Sequence, residues 1–238
     1  MAPSPSASAA ARAVAWLGGA LFAGALVTGA WWFAVRLAAP GPAGVAVGPA
    51  VAWNVLLFTV FATHHSLLAR SGAKAWISRV APGPLERSLY VWAASLLFLA
   101  VCFGWRRVPG VLYDVAAPAR WGFVLVQAAG VVLTLAGARV LDGLDLAGIR
   151  QVTRPPRPAI IRVVWPFTLV RHPIYLGWVL MVGAATPMTL DRAVFAAVST
   201  LYLVIAIPWE ERSLSAAAGP AYSAYCRQVR WRLVPGLY

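Results

Sequence analysis

The side chains able to do chemistry fall in two short polar stretches of an otherwise apolar chain. The first, Val170-Arg171-His172-Pro173-Ile174-Tyr175-Leu176-Gly177, gathers a guanidinium, one of only three histidines, a proline suited to a helix start and a phenol. The second is Glu210-Glu211, followed by Gly219, Tyr222 and Tyr225. Polar groups at membrane depth are costly and tend to be kept for a ligand. A helix opening at Pro173 offers a positive end and free backbone N–H groups to an anion, with Arg171 as ion-pair donor. Two adjacent carboxylates suit an amino group, an arginine or a sulfonium. Together the stretches read as two walls closing over a charged cofactor at one membrane face.

Each stretch also has a plainer reading. Arg171-His172-Pro173 describes the basic flank of many membrane helices, Glu210-Glu211 a solvated helix end, and Tyr222 and Tyr225 interfacial anchors. His64-His65 offers axial ligands to haem or a metal, or simply polar groups bonded to neighbouring helices. The second is preferred, because His172 is the only other histidine and no His-rich cage can be built. Asp142 reads as a helix cap, and Asp145 as a cap or a group of the site. Cys102 lies in an apolar run and Cys226 in a polar tail, which argues against a disulfide or metal cluster.

The elements that must position these groups follow from composition. Of 238 residues, 61% are hydrophobic and 11% charged, and the mean hydropathy of +0.74 is that of an integral membrane protein. The net charge of +13 comes from 20 basic against 7 acidic residues. Nucleic-acid binding would want those arginines on a soluble face among aromatics; here they sit in the gaps between apolar runs, so no nucleic-acid partner is expected.

Residues 1–12 are Ala/Ser/Pro-rich and predicted disordered. Apolar runs at 13–35, 45–69, 88–105 and 121–141 predict four membrane helices, the first too long for a signal-peptide core and therefore retained. Trp76 and Ile77, inside a basic loop over 70–87, predict a short interfacial helix. A polar, Arg/Pro-rich connector over 142–172 leads to a helical hairpin, with spans at 173–187 and 193–209. A tail helix over 213–228 follows, interrupted or capped by Gly219-Pro220. The expected protein is all-α and polytopic, with about six transmembrane helices, and its 142–238 region carries the cofactor site below a four-helix region at 13–141.

Basic residues divide unevenly between the two faces. One face holds Arg36, Arg106, Arg107, Arg120 and Arg192; the other holds the rest, which makes it cytoplasmic together with both termini. That face also receives His64, His65, Arg171, His172, Glu210, Glu211, Tyr222 and Tyr225, although the charge count used no functional information. The arginine, alanine, glycine and proline richness suggests a GC-rich bacterial genome, and hence a bacterial inner membrane.

The succession Arg171-His172-Pro173-Ile174-Tyr175-Leu176-Gly177, a hairpin, Glu210-Glu211-Arg212-Ser213-Leu214, then Gly219, Tyr222 and Tyr225 resembles the C-terminal signature of the isoprenylcysteine carboxyl methyltransferase and phospholipid methyltransferase superfamily. The resemblance covers about residues 165–235 and implies a membrane-embedded methyltransferase using S-adenosyl-L-methionine. Upstream, His65-Ser66-Leu67-Leu68-Ala69-Arg70, Glu86-Arg87-Ser88-Leu89-Tyr90-Val91, the segment from Leu144 to Val152, and Ala185-Thr186-Pro187-Met188-Thr189 look like the bacterial methanethiol S-methyltransferase branch. A denitrification-associated membrane family has a similar amino-terminal pattern. The chain departs from the prenylcysteine enzymes at Ala206-Ile207-Pro208-Trp209, where they usually carry basic residues, and in its strongly basic tail.

What the resemblance implies is S-methylation of a small apolar thiol, such as methanethiol to dimethyl sulfide, in contact with membrane lipid and without a metal. Arg171, His172, Pro173, Tyr175, Gly177, Glu210, Tyr222 and Tyr225 are then expected to bind the cofactor, and His65, Glu210 and Glu211 to serve catalysis, with His65 deprotonating the thiol. The competing expectations are prenylcysteine or lipid methylation, a haem-binding or denitrification accessory protein without enzymatic activity, and a structural scaffold.

Overall fold

The computed structural model describes residues 8–68, 85–154 and 161–238. The expected interfacial helix around Trp76 and Ile77 lies outside the described residues. Four long helices come first: α1 (Ala9–Ala34), α2 (Val47–Leu68), α3 (Glu86–Gly104) and α4 (Arg120–Leu141). Two single-turn helices, α5 (Gly143–Leu146) and α6 (Arg150–Thr153), open the connector; α7 (Pro173–Gly183), α8 (Leu190–Ala218) and α9 (Pro220–Gln228) complete the chain. Strands β1 (Val111–Tyr113) and β2 (Met188–Thr189) form one small antiparallel pair.

Among the described residues five helices, α1 to α4 and α8, are long and apolar enough to cross a membrane. α7 has only 11 residues, about 16 Å at 1.5 Å per residue, roughly half of a hydrocarbon core about 30 Å thick. The expected hairpin arm at 173–187 is therefore a half-length helix continued by extended chain, and a count of six full-length helices is not confirmed. Gly183, a poor helix former, and the restriction that Pro187 places on Thr186 end α7 early; the chain then continues extended, with Met188 and Thr189 satisfied by pairing with β1.

Two other boundaries move. α1 begins at Ala9, where the Ser8 hydroxyl oxygen caps it by accepting the Ala11 N–H at 3.2 Å, so residues 9–12 are helical. α8 runs 29 residues through Glu210-Glu211 to Ala218, because Leu214 and Ala216 to Ala218 favour helix. Gly219, at φ 51°, stops it, and Pro220 opens α9.

The core lies among α1, α2, α3 and α8, around Phe195. Its ring meets Trp32 at 5.1 Å, Phe58 at 5.7 Å and Trp105 at 5.8 Å. At the end of the bundle where α8 begins, the fully buried Asp191 carboxylate accepts from Trp105 Nε1, Arg107 Nε and the Val108 N–H. Arg192 beside it donates to the Phe33, Ala34 and Pro187 carbonyls, closing the end of α1. These contacts pin the start of α8, so its other end, with Glu210 and Glu211, is held against α7.

Asp142, at φ 68°, caps α5 by accepting the Leu144 N–H and pairs with Arg150 at 3.7 Å. Asp145 accepts from Gln151 at 2.7 Å, within the same connector.

Candidate active site

The two polar stretches meet at one end of the bundle. Pro173 opens α7 without a side-chain cap, and His172 beside it is buried, its ring stacked on Tyr175 at 5.3 Å. Both glutamates face this turn. The Tyr175 hydroxyl donates to Glu210 Oε2 at 2.7 Å, and His172 Nδ1 lies 3.7 Å from the same oxygen. Glu211 Oε1 sits 3.0 Å from Arg171 Nε and 3.4 Å from His172 Nε2, while its Oε2 accepts from Arg232 Nε at 3.0 Å.

The glutamates are therefore unlike. The Glu210 side chain is 44% exposed and that of Glu211 10%, so Glu211 ties three segments together and Glu210 remains approachable. The tail is fastened by backbone as well: the Arg171 and His172 N–H groups donate to the Trp231 and Arg232 carbonyls, each at 2.9 Å. Burial opposes the charge on Arg232, but the Tyr238 hydroxyl and the Glu211 carboxylate outweigh it and hold the guanidinium above its ordinary value.

α9 closes the site from below. Tyr222, Tyr225 and Val229 pack with Ile161, Val163, Phe167 and Leu214. Tyr225 spends its hydroxyl on the Phe167 carbonyl at 2.9 Å, and burial pushes its phenol up to about 12. The buried Tyr222 hydroxyl lies against Cys226; burial, and then the charge of Glu211, raise its phenol well above the ordinary range. Between α8 and α9 a cleft of about 390 Å³ is lined by Pro208, Glu211, Arg212, Ser215, Tyr222, Cys226 and Arg232.

Gly177 packs against a neighbouring helix. It faces α4, where an added Cβ would come within 2.5 Å of the Gly130 carbonyl oxygen and would collide with the Thr134 hydroxyl. Its physical role is close helix packing. His65, near the end of α2, belongs to the same end of the bundle but not to the ion-pair cluster; its Nδ1 lies 2.8 Å from the Tyr90 hydroxyl.

Residues not singled out from sequence also shape the site. Arg232 was one of several tail arginines, and nothing local distinguishes it. Tyr90 and Ser66 stand out in the sequence only as members of family-like segments, and Tyr202 is lost among apolar neighbours although it stands two turns before Glu210 on α8, a spacing available as a signal.

Over 197 residues the chain is 34% identical to methanethiol S-methyltransferase 2 of Bradyrhizobium diazoefficiens, covering 81% of this chain and 76% of that one. To the methanethiol S-methyltransferase of Mycobacterium tuberculosis it is 37% identical over 191 residues, 77% of this chain and 78% of the other. The chain belongs to the methanethiol S-methyltransferase family. A more distant relation within the wider isoprenylcysteine methyltransferase-like family is Nurim of Mus musculus, 30% identical over 178 residues, 69% of this chain and 68% of Nurim. No family model and no solved structure matches the chain. The likeness to this family covers most of the chain.

Proposed function

We propose that the protein is a membrane methyltransferase that transfers the methyl group of S-adenosylmethionine to methanethiol, yielding dimethyl sulfide. Membership in the methanethiol S-methyltransferase family supports the reaction class, and the relatives' names support the acceptor. The observation that carries the site is the convergence of Arg171, His172, Tyr175, Glu210, Glu211 and Arg232 within ion-pair and hydrogen-bond distance.

These residues fit the cofactor. An amino acid group, a ribose and a sulfonium require carboxylates, a guanidinium and hydroxyl partners, and the cleft supplies Glu211, Arg212, Arg232, Ser215 and the Tyr222 hydroxyl. S-adenosylmethionine, when bound, supplies an electrophilic methyl group on a positive sulfur. The protein's tasks are then to orient, exclude water and manage one proton. Glu210, approachable and held by Tyr175, receives the ammonium or ribose; Arg171 or Arg232 takes the carboxylate; the His172-Pro173 turn and Tyr175 wall the Glu210 side, and Tyr222 the adjoining cleft. His65, poised against Tyr90, accepts the proton of the thiol, which is mostly protonated at neutral pH. Tyr225 and Gly177 serve the assembly of that cavity.

The site end faces the cytoplasm of a bacterial inner membrane, with both termini on that side, because the basic residues concentrate there. The cofactor enters from water and the apolar thiol from the bilayer. The test is purified protein in detergent, incubated with labelled S-adenosylmethionine and a panel of thiols, prenylcysteine and lipids. The expected result is labelled dimethyl sulfide from methanethiol; label appearing only in prenylcysteine or lipid, or in nothing, ends this reading. Cysteine labelling from either side of the membrane checks the topology, with residues 172 and 210 expected on the same face.

A further inference from the structure

A second polar group lies beside the ion-pair cluster and is not used by it. On α2, His65 and Ser66 each meet a tyrosine from another helix: the Tyr90 hydroxyl lies 2.8 Å from His65 Nδ1, and the Tyr202 hydroxyl lies 2.9 Å from the Ser66 hydroxyl. The His65 ring is walled by Phe61 at 5.7 Å, Tyr90 at 5.5 Å and Tyr202 at 6.5 Å. Helices α2, α3 and α8 therefore each contribute a polar side chain to one aromatic-walled spot within an apolar bundle.

That spot adjoins the cofactor site. Glu210, which Tyr175 holds from α7, stands two turns beyond Tyr202 on α8. The hydrogen-bond count within it is also incomplete. The Ser66–Tyr202 pair has two hydroxyl hydrogens and its mutual bond uses one, so the other has no acceptor among the described residues. Both residues are half-buried, so a ligand atom can reach that hydrogen.

We propose that Tyr202 and Ser66 form the acceptor-thiol subsite, a hydroxyl hydrogen of the pair binding the thiol sulfur while the rings of Tyr202 and Phe61 limit the size of its alkyl group. The proposal rests on the thiol methyltransferase reading and deepens it. Sulfur held there stands beside His65. With the Nδ1 hydrogen of His65 on the Tyr90 oxygen, Nε2 would take the thiol proton, and the S–H electron pair kept by sulfur would form the new bond to the methyl carbon as that carbon's bond to the sulfonium breaks, its electron pair leaving with the neutral thioether product of the donor. The Arg87 guanidinium, 5.2 Å from the Tyr90 ring, adds positive charge on the side where the thiolate develops.

The experiment compares wild-type protein with Tyr202→Phe, Tyr202→Ala and Ser66→Ala in detergent. It measures the dissociation constant of S-adenosylmethionine by equilibrium dialysis, and initial rates with methanethiol, ethanethiol, butanethiol and phenylmethanethiol. Tyr202→Phe and Ser66→Ala are expected to raise the methanethiol KM about three- to tenfold, the worth of one hydrogen bond, with cofactor binding unchanged. Tyr202→Ala is expected to shift kcat/KM toward the longer thiols. An unchanged methanethiol KM in Tyr202→Phe and Ser66→Ala, or equal weakening toward cofactor and thiol, overturns the subsite while thiol methylation by the wild type stands. If the wild type methylates no thiol, the reading beneath it falls as well.

Discussion

Arg171 Nε and Glu211 Oε1 lie 3.0 Å apart, with side chains only 11% and 10% exposed. The other oxygen of Glu211 takes Arg232 at 3.0 Å, so one carboxylate compensates two guanidinium groups at the join of connector, α8 and tail. Removing one partner of a largely buried pair strands the others. Glu211→Gln is expected to destabilise the protein by about 2–4 kcal/mol, read as a lowered midpoint in thermal unfolding in detergent. A variant as stable as wild type would show that the tail does not depend on this carboxylate.

Glu210 behaves differently because it is approachable and bonded mainly by Tyr175. Glu210→Gln should leave unfolding within about 0.5 kcal/mol of wild type, yet weaken S-adenosylmethionine binding roughly tenfold, the loss of one charge-assisted hydrogen bond. Tyr175→Phe should move binding in the same direction by a smaller factor. Equilibrium dialysis on both variants decides the matter, and unchanged affinity in both removes Glu210 from the cofactor.

For His65 the expectation concerns rate and not cofactor affinity. His65→Gln should lower kcat with methanethiol by about 10²- to 10⁴-fold, the usual range for a positioned base, while S-adenosylmethionine still binds. Retained turnover would move the base elsewhere.

The contact at Gly177 predicts a packing defect. Gly177→Ala drives a methyl group to 2.5 Å from the Gly130 carbonyl oxygen, and the resulting separation of α4 and α7 should cost about 1–3 kcal/mol. The loss should appear in thermal unfolding before any change in acceptor preference. Wild-type stability would mean that α7 can shift aside.

Tyr225 adds a pH dependence. Its phenol is held up to about 12 from an ordinary 10.0, chiefly by burial, so above pH 10 the released tail ionises while the docked tail still holds its proton. Docking stability is thus complete below about pH 10 and falls as pH rises toward 12. Limited proteolysis of the tail across that range should show cleavage rising with pH in wild type, and a shallower rise in Tyr225→Phe.

Much of this arrangement was legible along the chain. Hydropathy is additive over neighbouring residues, so four long apolar runs and the membrane class stand out without any knowledge of contacts. Arg171-His172-Pro173 and Glu210-Glu211 were conspicuous because polar groups are rare in such surroundings, and Gly219-Pro220 marks the break between α8 and α9 by its own backbone chemistry. What stayed hidden depended on partners far away in the chain. Hydropathy alone cannot tell a half-length helix and extended connector from a full span, since β2 is satisfied by β1 from another loop.

The sequence by itself determined an all-helical membrane protein, the methyltransferase resemblance and the two polar stretches that would have to meet, because composition, spacing and helix-breaking residues act locally. Only the tertiary structure decided that Glu211 is locked between Arg171 and Arg232 while Glu210 stays open, that Gly177 faces α4, and that Tyr202 reaches Ser66 across 136 positions. Exposure and pairing are properties of how helices rotate against one another, and adjacent residues such as Glu210 and Glu211 differ by about 100° around their helix.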